Sequence, residues 1–288
     1  MKKTNLTILI AALIAAANFS SCKKDSDNPQ PFVFYSVSID GATVTFTNAS
    51  EDAVSYTWDF GDGTTSTEES PVHTYPGKGK YVPTLYATTS AGVTGEASTV
   101  INIAKVSGIK LDDNTLSDWD TIAYNMVTGG TKSGNFITAK YDYDANYVYI
   151  CFEQNTTQAA GNIYDLYLDA DLDLTTGYTT GGIPDGAYDV LLEGSILGGW
   201  LDPYYFSGAT QSAFSWTYQS LNEFYKIGTI EQSGSVQKFE FALSRSKIKG
   251  LTGKGLRIGV QVAASDWSAT IGYSPDEGSS AFYLDMSE

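Results

Sequence analysis

Three aspartates alternate along one stretch of the chain, and their spacing points to metal chemistry. Asp169, Asp171 and Asp173 occupy every second position at the end of an apolar run. Alternate side chains of a strand point to the same side, so these carboxylates can lie together. Hard oxygen ligands in such an arrangement suit Ca²⁺. A solvated acidic turn is the alternative. An EF-hand is disfavoured, because Leu174 and Thr180 stand where its loop needs Gly and Glu.

Aromatic residues form the second group, because flat rings can stack on the C–H faces of sugars. Of 20 Tyr and 5 Trp, 15 Tyr and four Trp lie beyond residue 105. Binding aromatics are expected on exposed loops. Gly and Pro residues within 198–206 predict one such loop, and Trp267 with Tyr273 forms a second group of candidates. Trp216 alternates like a strand residue and fits either a site or the core. The predicted carbohydrate-binding residues are Trp200, Tyr204, Tyr205, Trp216, Trp267 and Tyr273.

The elements that position these residues must come from a chain of 288 residues, enough for two modest domains. Lys and Arg number 17 against 33 Asp and Glu, a net charge of −16 that repels phosphate backbones, so no nucleic-acid partner is predicted. One His and two Cys argue against His-dependent catalysis, zinc fingers and a disulfide framework. The acids leave a glycoside hydrolase open, since a retaining pair needs only two carboxyls about 5–5.5 Å apart.

The N-terminus has the pattern of a secretory signal peptide, with two lysines and then an apolar run over residues 6–17 that is too short to span a bilayer. The segment Phe19-Ser20-Ser21-Cys22 resembles a bacterial lipobox, in which the cysteine is acylated. The resemblance implies a signal peptide over 1–21, lipidation at Cys22 and a tether over 22–30. The segment Cys22-Lys23-Lys24-Asp25-Ser26-Asp27 resembles the surface-export signal of such lipoproteins, which implies an outer-membrane lipoprotein that faces the exterior.

Residues 32–85 contain alternating β-branched and aromatic residues separated by turn residues, a pattern typical of strands. Within them lie Trp58-Asp59-Phe60-Gly61-Asp62-Gly63 and Pro71-Val72-His73-Thr74-Tyr75. In this order and spacing the segments resemble a PKD domain, and the resemblance covers residues 31–105. It implies a small immunoglobulin-like β-sandwich that acts as a spacer or a weak interaction module.

Side chains of the PKD-like motif are given structural roles. Trp58 and Phe60 alternate, which predicts that both point inward. Asp59 and Asp62 are predicted to cap turns rather than to bind metal. His73 lies inside the motif and is predicted to be structural, so no catalysis is expected from this half of the chain.

Beyond residue 108 the chain again predicts strands, separated by clusters of Gly, Asn, Asp and Ser. The expected strands cover residues 147–153, 163–169, 187–193, 236–243, 256–263 and 281–284. Cys151 lies in one of these apolar runs and is predicted to be a buried, inert thiol.

Several fragments of this half resemble family 9 carbohydrate-binding modules and the wider DOMON-like β-sandwich group. They include Leu116-Ser117-Asp118-Trp119, Gly186-Ala187-Tyr188-Asp189-Val190 and Asp266-Trp267 ahead of Ser274-Pro275-Asp276. The resemblance covers residues 108–288 and implies a larger β-sandwich. It also implies a structural cation near Asp169, Asp171 and Asp173, with Asp189 close by.

The sequence therefore predicts an all-β protein that captures polysaccharide or oligosaccharide without catalysis. A lipid anchor would hold it to the outer membrane, the PKD-like domain would be a spacer, and a glycan transporter complex is a possible partner. The alternative is a structural or adhesive surface lipoprotein. A glycoside hydrolase is the third hypothesis.

Overall fold

The structure, a computed structural model, describes residues 30–287. The predicted signal peptide, Cys22 and the tether as far as residue 29 lie outside this range. The regular secondary structure of the described residues is almost all β-strand, and the helices are short 3₁₀ turns at Ser117–Thr121, Gln158–Ala160, Ile196–Gly198 and Arg245–Lys247. None of the described helices is long and apolar enough to cross a membrane. The predicted all-β class is confirmed.

The first sandwich is built from short antiparallel strands around a buried aromatic core. Its sheets have the orders β1-β2-β5, β4-β3-β7-β8 and β6-β9. Phe46, Trp58 and Phe60 are buried between them, as the alternation of Trp58 and Phe60 predicts. The strands are β1 (Tyr35–Asp40), β2 (Thr43–Asn48), β3 (Ser55–Asp59), β4 (Thr65–Ser66), β5 (Val72–Thr74), β6 (Gly79–Tyr81), β7 (Thr84–Thr88), β8 (Thr94–Ser98) and β9 (Ile101–Ile103).

Polar residues of the PKD-like motif hold its turn together. Asp59 Oδ1 accepts the Gly61 N–H at 2.9 Å, and Asp62 Oδ1 accepts a backbone N–H from the same turn at 3.0 Å. The His73 ring stacks on Phe60 with centroids 4.0 Å apart, and its Nε2 lies 2.7 Å from Asp62 Oδ2. The two aspartates and the histidine therefore have the structural roles that the sequence predicts.

The second sandwich packs two larger antiparallel sheets face to face. One has the order β10-β11-β12-β18-β17, and the other has the order β16-β15-β14-β13-β19-β20, with β21 also pairing with β19. The strands are β10 (Met126–Thr128), β11 (Phe136–Tyr143), β12 (Tyr147–Asn155), β13 (Ile163–Asp169), β14 (Val190–Gly194), β15 (Asp202–Phe206), β16 (Trp216–Tyr218), β17 (Tyr225–Ser233), β18 (Val236–Ser244), β19 (Gly255–Ala263), β20 (Thr270–Ser274) and β21 (Phe282–Asp285).

Each of the six strands predicted in this half is present, with its ends within three residues of the prediction. Cys151 is buried and is a free thiol, as expected, and burial raises the pKa of this thiol to about 12. Trp119 is fully buried and its indole donates to Glu240 Oε2 at 2.8 Å. These aromatic and thiol side chains stabilise the sandwich and are not available to a ligand.

The expectation of a loop over residues 198–206 is wrong for its second half, because Asp202–Phe206 is strand β15. Pro203 lies inside this strand, where it lacks an N–H for the ladder. Its carbonyl accepts the Gln219 N–H at 2.8 Å, on the side of β16 and just beyond the end of that short strand. The nitrogen of Pro203, which has no N–H to donate, therefore faces a position just beyond the end of β16. Proline is tolerated there.

Two lysines of the first sandwich contact the second. Lys105 donates to the Asp142 carboxylate and to the Tyr143 carbonyl, the latter at 3.0 Å. Lys78 Nζ donates to the Ser287 carbonyl at 2.8 Å and to the Tyr143 hydroxyl at 3.3 Å. Hydrogen bonds from charged groups are stronger than neutral ones, so these contacts dock the two sandwiches against each other.

Candidate functional site

The outer face of the seven-stranded sheet carries an unusual set of side chains. Alternation along β13 sends Leu166 and Leu168 into the core between the sheets. Asp165, Tyr167 and Asp169 point to the opposite face. Since register fixes which residues of neighbouring strands lie side by side, these three positions begin three rows that cross the sheet.

The middle row is aromatic and apolar. Tyr167 pairs with Leu191, Leu191 with Tyr204, and Tyr204 with Tyr218. We call these four residues the aromatic row. The rings of Tyr204 and Tyr218 lie 5.8 Å apart in an edge-to-face arrangement. Tyr167 and Leu191 are buried and Tyr218 is exposed, so the row opens to solvent toward β16.

A cleft of about 270 Å³ opens over this row. The indole of Trp216 forms one wall, with Phe206 at 5.5 Å and Phe214 at 6.1 Å from its ring centroid. The Trp216 Nε1 is shielded from solvent and has no hydrogen-bond partner within residues 30–287. A buried donor without an acceptor is unfavourable, so this indole N–H is a cost to the folded state. The cleft is lined by Leu191, Glu193, Tyr204, Phe214 and Trp216.

Three carboxyl groups form the row next to the aromatic one. Asp165 pairs with Glu193, and Glu193 pairs with Asp202. We call these three residues the acid row. Burial, followed by the charge of Glu193, raises the pKa of Asp165 to about 7. Burial and the charge of Asp202 raise the pKa of Glu193. Burial is the main cause of the raised pKa of both carboxyl groups.

Three of the six predicted binding aromatics lie on this outer face. Tyr204 and Trp216 line the cleft, so the ambiguous position of Trp216 is on the surface side of its strand. Tyr273 of β20 pairs with Gln261, and Gln261 pairs with Asp165, so Tyr273 lies in line with the acid row. The structure brings these three to one side of one sheet.

The other predicted aromatics lie elsewhere. Tyr205 points inward and packs on the core, with Lys249 Nζ 4.9 Å above its ring. Trp200 is 40% exposed and lies against the backbone at Gly194, at the edge of the sandwich. Trp267 is 52% exposed in the turn between β19 and β20, where it has a positive φ of 61°. None of the three lines the cleft.

Phe214, Leu191 and Glu193 line the cleft and were not predicted as site residues. A signal for Phe214 was present, since Phe214, Trp216 and Tyr218 alternate and so share a face. Glu193 gave no such signal, because its neighbours on the outer face come from β13 and β15. Which side chains lie beside Glu193 therefore depends on the register between segments that are distant in sequence.

Three of the four predicted metal ligands converge at one end of this sheet. Single oxygens of Asp169, Asp171 and Asp189 lie within 4.8 Å of one another. Burial raises the pKa of Asp189 to about 6, although backbone N–H groups donate to it. Asp169 Oδ2 accepts from Arg257 at 2.7 Å, which offsets one negative charge. Asp173 is outside this set and caps its own turn, accepting the Thr175 N–H at 2.9 Å.

The donor set of these three aspartates is entirely oxygen and carries more negative charge than Arg257 offsets, which fits a hard divalent cation. The same segment supports the cleft. Gln211 Nε2 donates to the carbonyls of Leu174 at 3.2 Å and Thr176 at 2.7 Å. Gln211 belongs to the loop that carries Phe214, so the acidic turn and the cleft wall are connected by hydrogen bonds.

Comparison with known proteins identifies the first sandwich. Residues 32–103 match the PKD domain family. The chain is 36% identical to a microbial collagenase of Vibrio alginolyticus over 95 residues, 31% of this chain and 11% of the collagenase. It is 29% identical to collagenase ColA of Clostridium perfringens over 174 residues, 57% of this chain and 15% of that protein. The chain thus spans roughly a tenth of the length of the curated relatives it matches.

Two solved structures are similar to parts of this chain. The PKD1 domain of Vibrio anguillarum Epp is 33% identical, covering 27% of this chain and 96% of that domain, with a TM-score of 0.26. A structure described as a carbohydrate-binding module of the β-sandwich superfamily is 15% identical and covers 86% of this chain and 99% of that chain, with a TM-score of 0.29. At that TM-score the second likeness carries no inference about function, so the site itself must supply it.

Proposed function

We propose that this protein is a non-catalytic glycan-binding protein whose cleft over the aromatic row captures polysaccharide or oligosaccharide. The observation that carries the proposal is the cleft itself. It combines the half-exposed ring of Tyr204, the wall formed by Trp216 and Phe214, and the carboxyl of Glu193 at one side. Concave sites lined by aromatic rings with a few polar groups are the usual form of small-ligand sites.

The chemistry of a sugar matches these groups one by one. The C–H faces of a pyranose stack on flat rings such as Tyr204 and Trp216. Its hydroxyls donate to carboxyl oxygens such as those of Glu193. The proposal assigns the carboxyl of Glu193 to ligand binding, with no catalytic step.

The rest of the chain gives this module its setting. We propose that the PKD domain is a spacer, that acylation of Cys22 anchors the protein to the outer membrane facing the exterior, and that an outer-membrane glycan transporter complex receives the captured sugar. A Ca²⁺ held by Asp169, Asp171 and Asp189 would fix the turn that supports the loop of Phe214. The alternative role, structural or adhesive, requires no ligand in the cleft.

Affinity electrophoresis against a panel of polysaccharides tests the proposal. The purified protein is expected to be retarded by at least one glycan, and Trp216→Ala to weaken that binding about 30-fold, the loss typical of a central aromatic contact. Trp200→Ala and Trp267→Ala, on the same gels, test whether the exposed rings outside the cleft add to binding. Tyr124→Ala is the control, since this ring is 96% exposed and far from the cleft in sequence.

Retardation that survives Trp216→Ala but is lost in Trp200→Ala or Trp267→Ala would move the site from the cleft to the sandwich edge. An absence of retardation on every glycan would overturn the glycan-binding proposal and favour the structural role. Thermal unfolding of each variant checks that a loss of binding is not a loss of fold.

A further inference from the structure

The acid row is a chain of carboxyl groups that has no basic partner. Asp165, Glu193 and Asp202 lie side by side on three adjacent strands. Like charges at directly opposed positions destabilise a sheet. Among residues 30–287 the ion pairs join His73 to Asp62, Lys105 to Asp142 and Arg257 to Asp169, so none includes a member of the row.

Within the row, one oxygen lacks any donor. Asp165 is only 6% exposed, and its Oδ1 is shielded from solvent without a hydrogen bond from the described residues. A buried acceptor left unpaired is unfavourable. The row therefore combines electrostatic repulsion with an unmet need for hydrogen-bond donors, beside a cleft that Glu193 also lines.

The geometry distinguishes between two kinds of positive partner. Carboxylates that chelate a metal ion converge on one point, as the oxygens of Asp169, Asp171 and Asp189 do within 4.8 Å. The acid row extends across three strands, and it is not among the convergent sets found in the described part of the chain. An extended row suits a cation that is carried on a larger ligand and that donates several hydrogen bonds.

We propose that the cleft prefers a glycan with free amino groups, whose ammonium donates to Glu193 and Asp202 while its pyranose ring stacks on Tyr204 and Trp216. This inference rests on the proposed glycan-binding function and names its substrate class. An ammonium has three donors and no acceptor, which is what a row of carboxylates lacks. A neutral or N-acetylated sugar would stack equally well but would leave the acid row without a positive partner.

Calorimetric titration with three oligosaccharides of equal length tests the preference. The ligands are a fully deacetylated glucosamine oligomer, its fully N-acetylated form and a cello-oligosaccharide. The deacetylated form is expected to bind roughly tenfold more tightly at low salt, the difference typical of one charge-assisted contact. Raising the ionic strength is expected to reduce that advantage, because salt screens exposed charges.

Matched variants assign the preference to the acid row. Glu193→Gln keeps the shape of the side chain and is expected to bring the three affinities to within about twofold of each other, since one carboxylate is lost. Trp216→Ala is expected to weaken all three. Glu96→Gln makes the same charge change on the exposed strand β8 of the PKD domain and is the control. Thermal unfolding establishes that each variant is folded.

The outcomes separate this inference from the function on which it rests. Equal binding of the three oligosaccharides, or tighter binding of the neutral ones, overturns the amine preference and leaves the glycan site in place. Binding of polylysine with the affinity of the deacetylated oligomer, without binding of any neutral sugar, overturns both, since the cleft would then be a site for basic peptide. A preference that persists in Glu193→Gln also overturns the inference.

Discussion

The PKD domain and the C-terminal sandwich treat their buried polar groups in opposite ways. In the PKD domain the Trp58 indole donates to the Glu68 carbonyl at 3.0 Å, and the His73 ring pairs with Asp62 at 2.7 Å. On the outer face of the second sandwich, Trp216 Nε1 and Asp165 Oδ1 have no partner among the described residues. An unpaired buried group costs free energy, and the second sandwich carries further ones away from this face, such as both amide atoms of Gln237 on β18.

The contrast teaches that aromatic content alone does not identify a binding site. Both domains contain clusters of rings, but those of the PKD domain are buried and fully bonded, while the rings over the seven-stranded sheet border an open cleft. Experiments that change one domain at a time can test this difference between the buried rings of the PKD domain and the open cleft of the second sandwich.

Removing the central ring of the PKD core has the largest expected effect. Trp58→Ala leaves a cavity among Tyr35 and Phe46 and an unpaired Glu68 carbonyl, and is expected to destabilise the domain by about 3–5 kcal/mol. Chemical denaturation followed by tryptophan fluorescence and circular dichroism measures it. If the second domain folds independently, glycan binding persists where the PKD domain has unfolded. A parallel loss of binding would contradict the role of the PKD domain as a spacer.

The acid row makes the stability of the second sandwich fall as pH rises. The folded pKa of Asp165 is about 7, above its usual value near 3.9, so the folded state binds more protons than the unfolded state between these values. The free energy of unfolding contributed by this group therefore decreases across that window, by up to about 4 kcal/mol. Asp165→Asn is expected to lose this dependence. Identical pH profiles of unfolding for the two proteins would refute the assignment.

Addition of Ca²⁺ tests the predicted cation site. A cation that binds only the folded state, present at 100 times its Kd, raises the free energy of unfolding by about 2.7 kcal/mol. Thermal unfolding is expected to shift upward with Ca²⁺ and to return with chelator, and Asp189→Asn is expected to lose the response. Asp173→Asn is the matched comparison, because Asp173 lies outside the convergent set. An equal loss of response in that variant would restore Asp173 as a ligand.

The smallest expected effect is in the PKD turn. Asp62→Ala removes the pair with His73 and the contacts to Thr64, and is expected to cost about 1 kcal/mol. The pKa of this carboxyl is held below its usual value, so the contribution is present above that value and is lost as pH falls through the folded pKa. Unfolding curves measured from neutral to acid pH provide the check. Glycan binding at neutral pH should be unchanged, and a decrease would link this turn to the site.

Much of the fold follows from local pattern. The strand predicted over residues 163–169 is observed with the same first and last residues, Ile163 and Asp169. Such a pattern can be read locally, because hydrophobic alternation involves only neighbouring residues. The motif around Trp58 and His73 likewise determines its own turn. Prediction fails at Tyr204 and Tyr205, where Gly and Pro nearby suggested a loop. There the pairing of β15 with β14 makes the segment a strand despite its local loop preference. Pro203 is tolerated in it, because its nitrogen faces a position just beyond the end of β16.

The all-β class, the side chains of each strand that share a face and the abundance of acids and aromatics in the second half can all be read from local pattern. The proximity of Asp165, Glu193 and Asp202, and the placement of Tyr204 and Trp216 at one cleft without Trp200, are visible only in the folded protein. The difference arises from strand register. Alternation is a property of one strand, whereas the neighbours of a side chain across a sheet come from segments tens of residues away, and their alignment depends on packing of the whole sandwich.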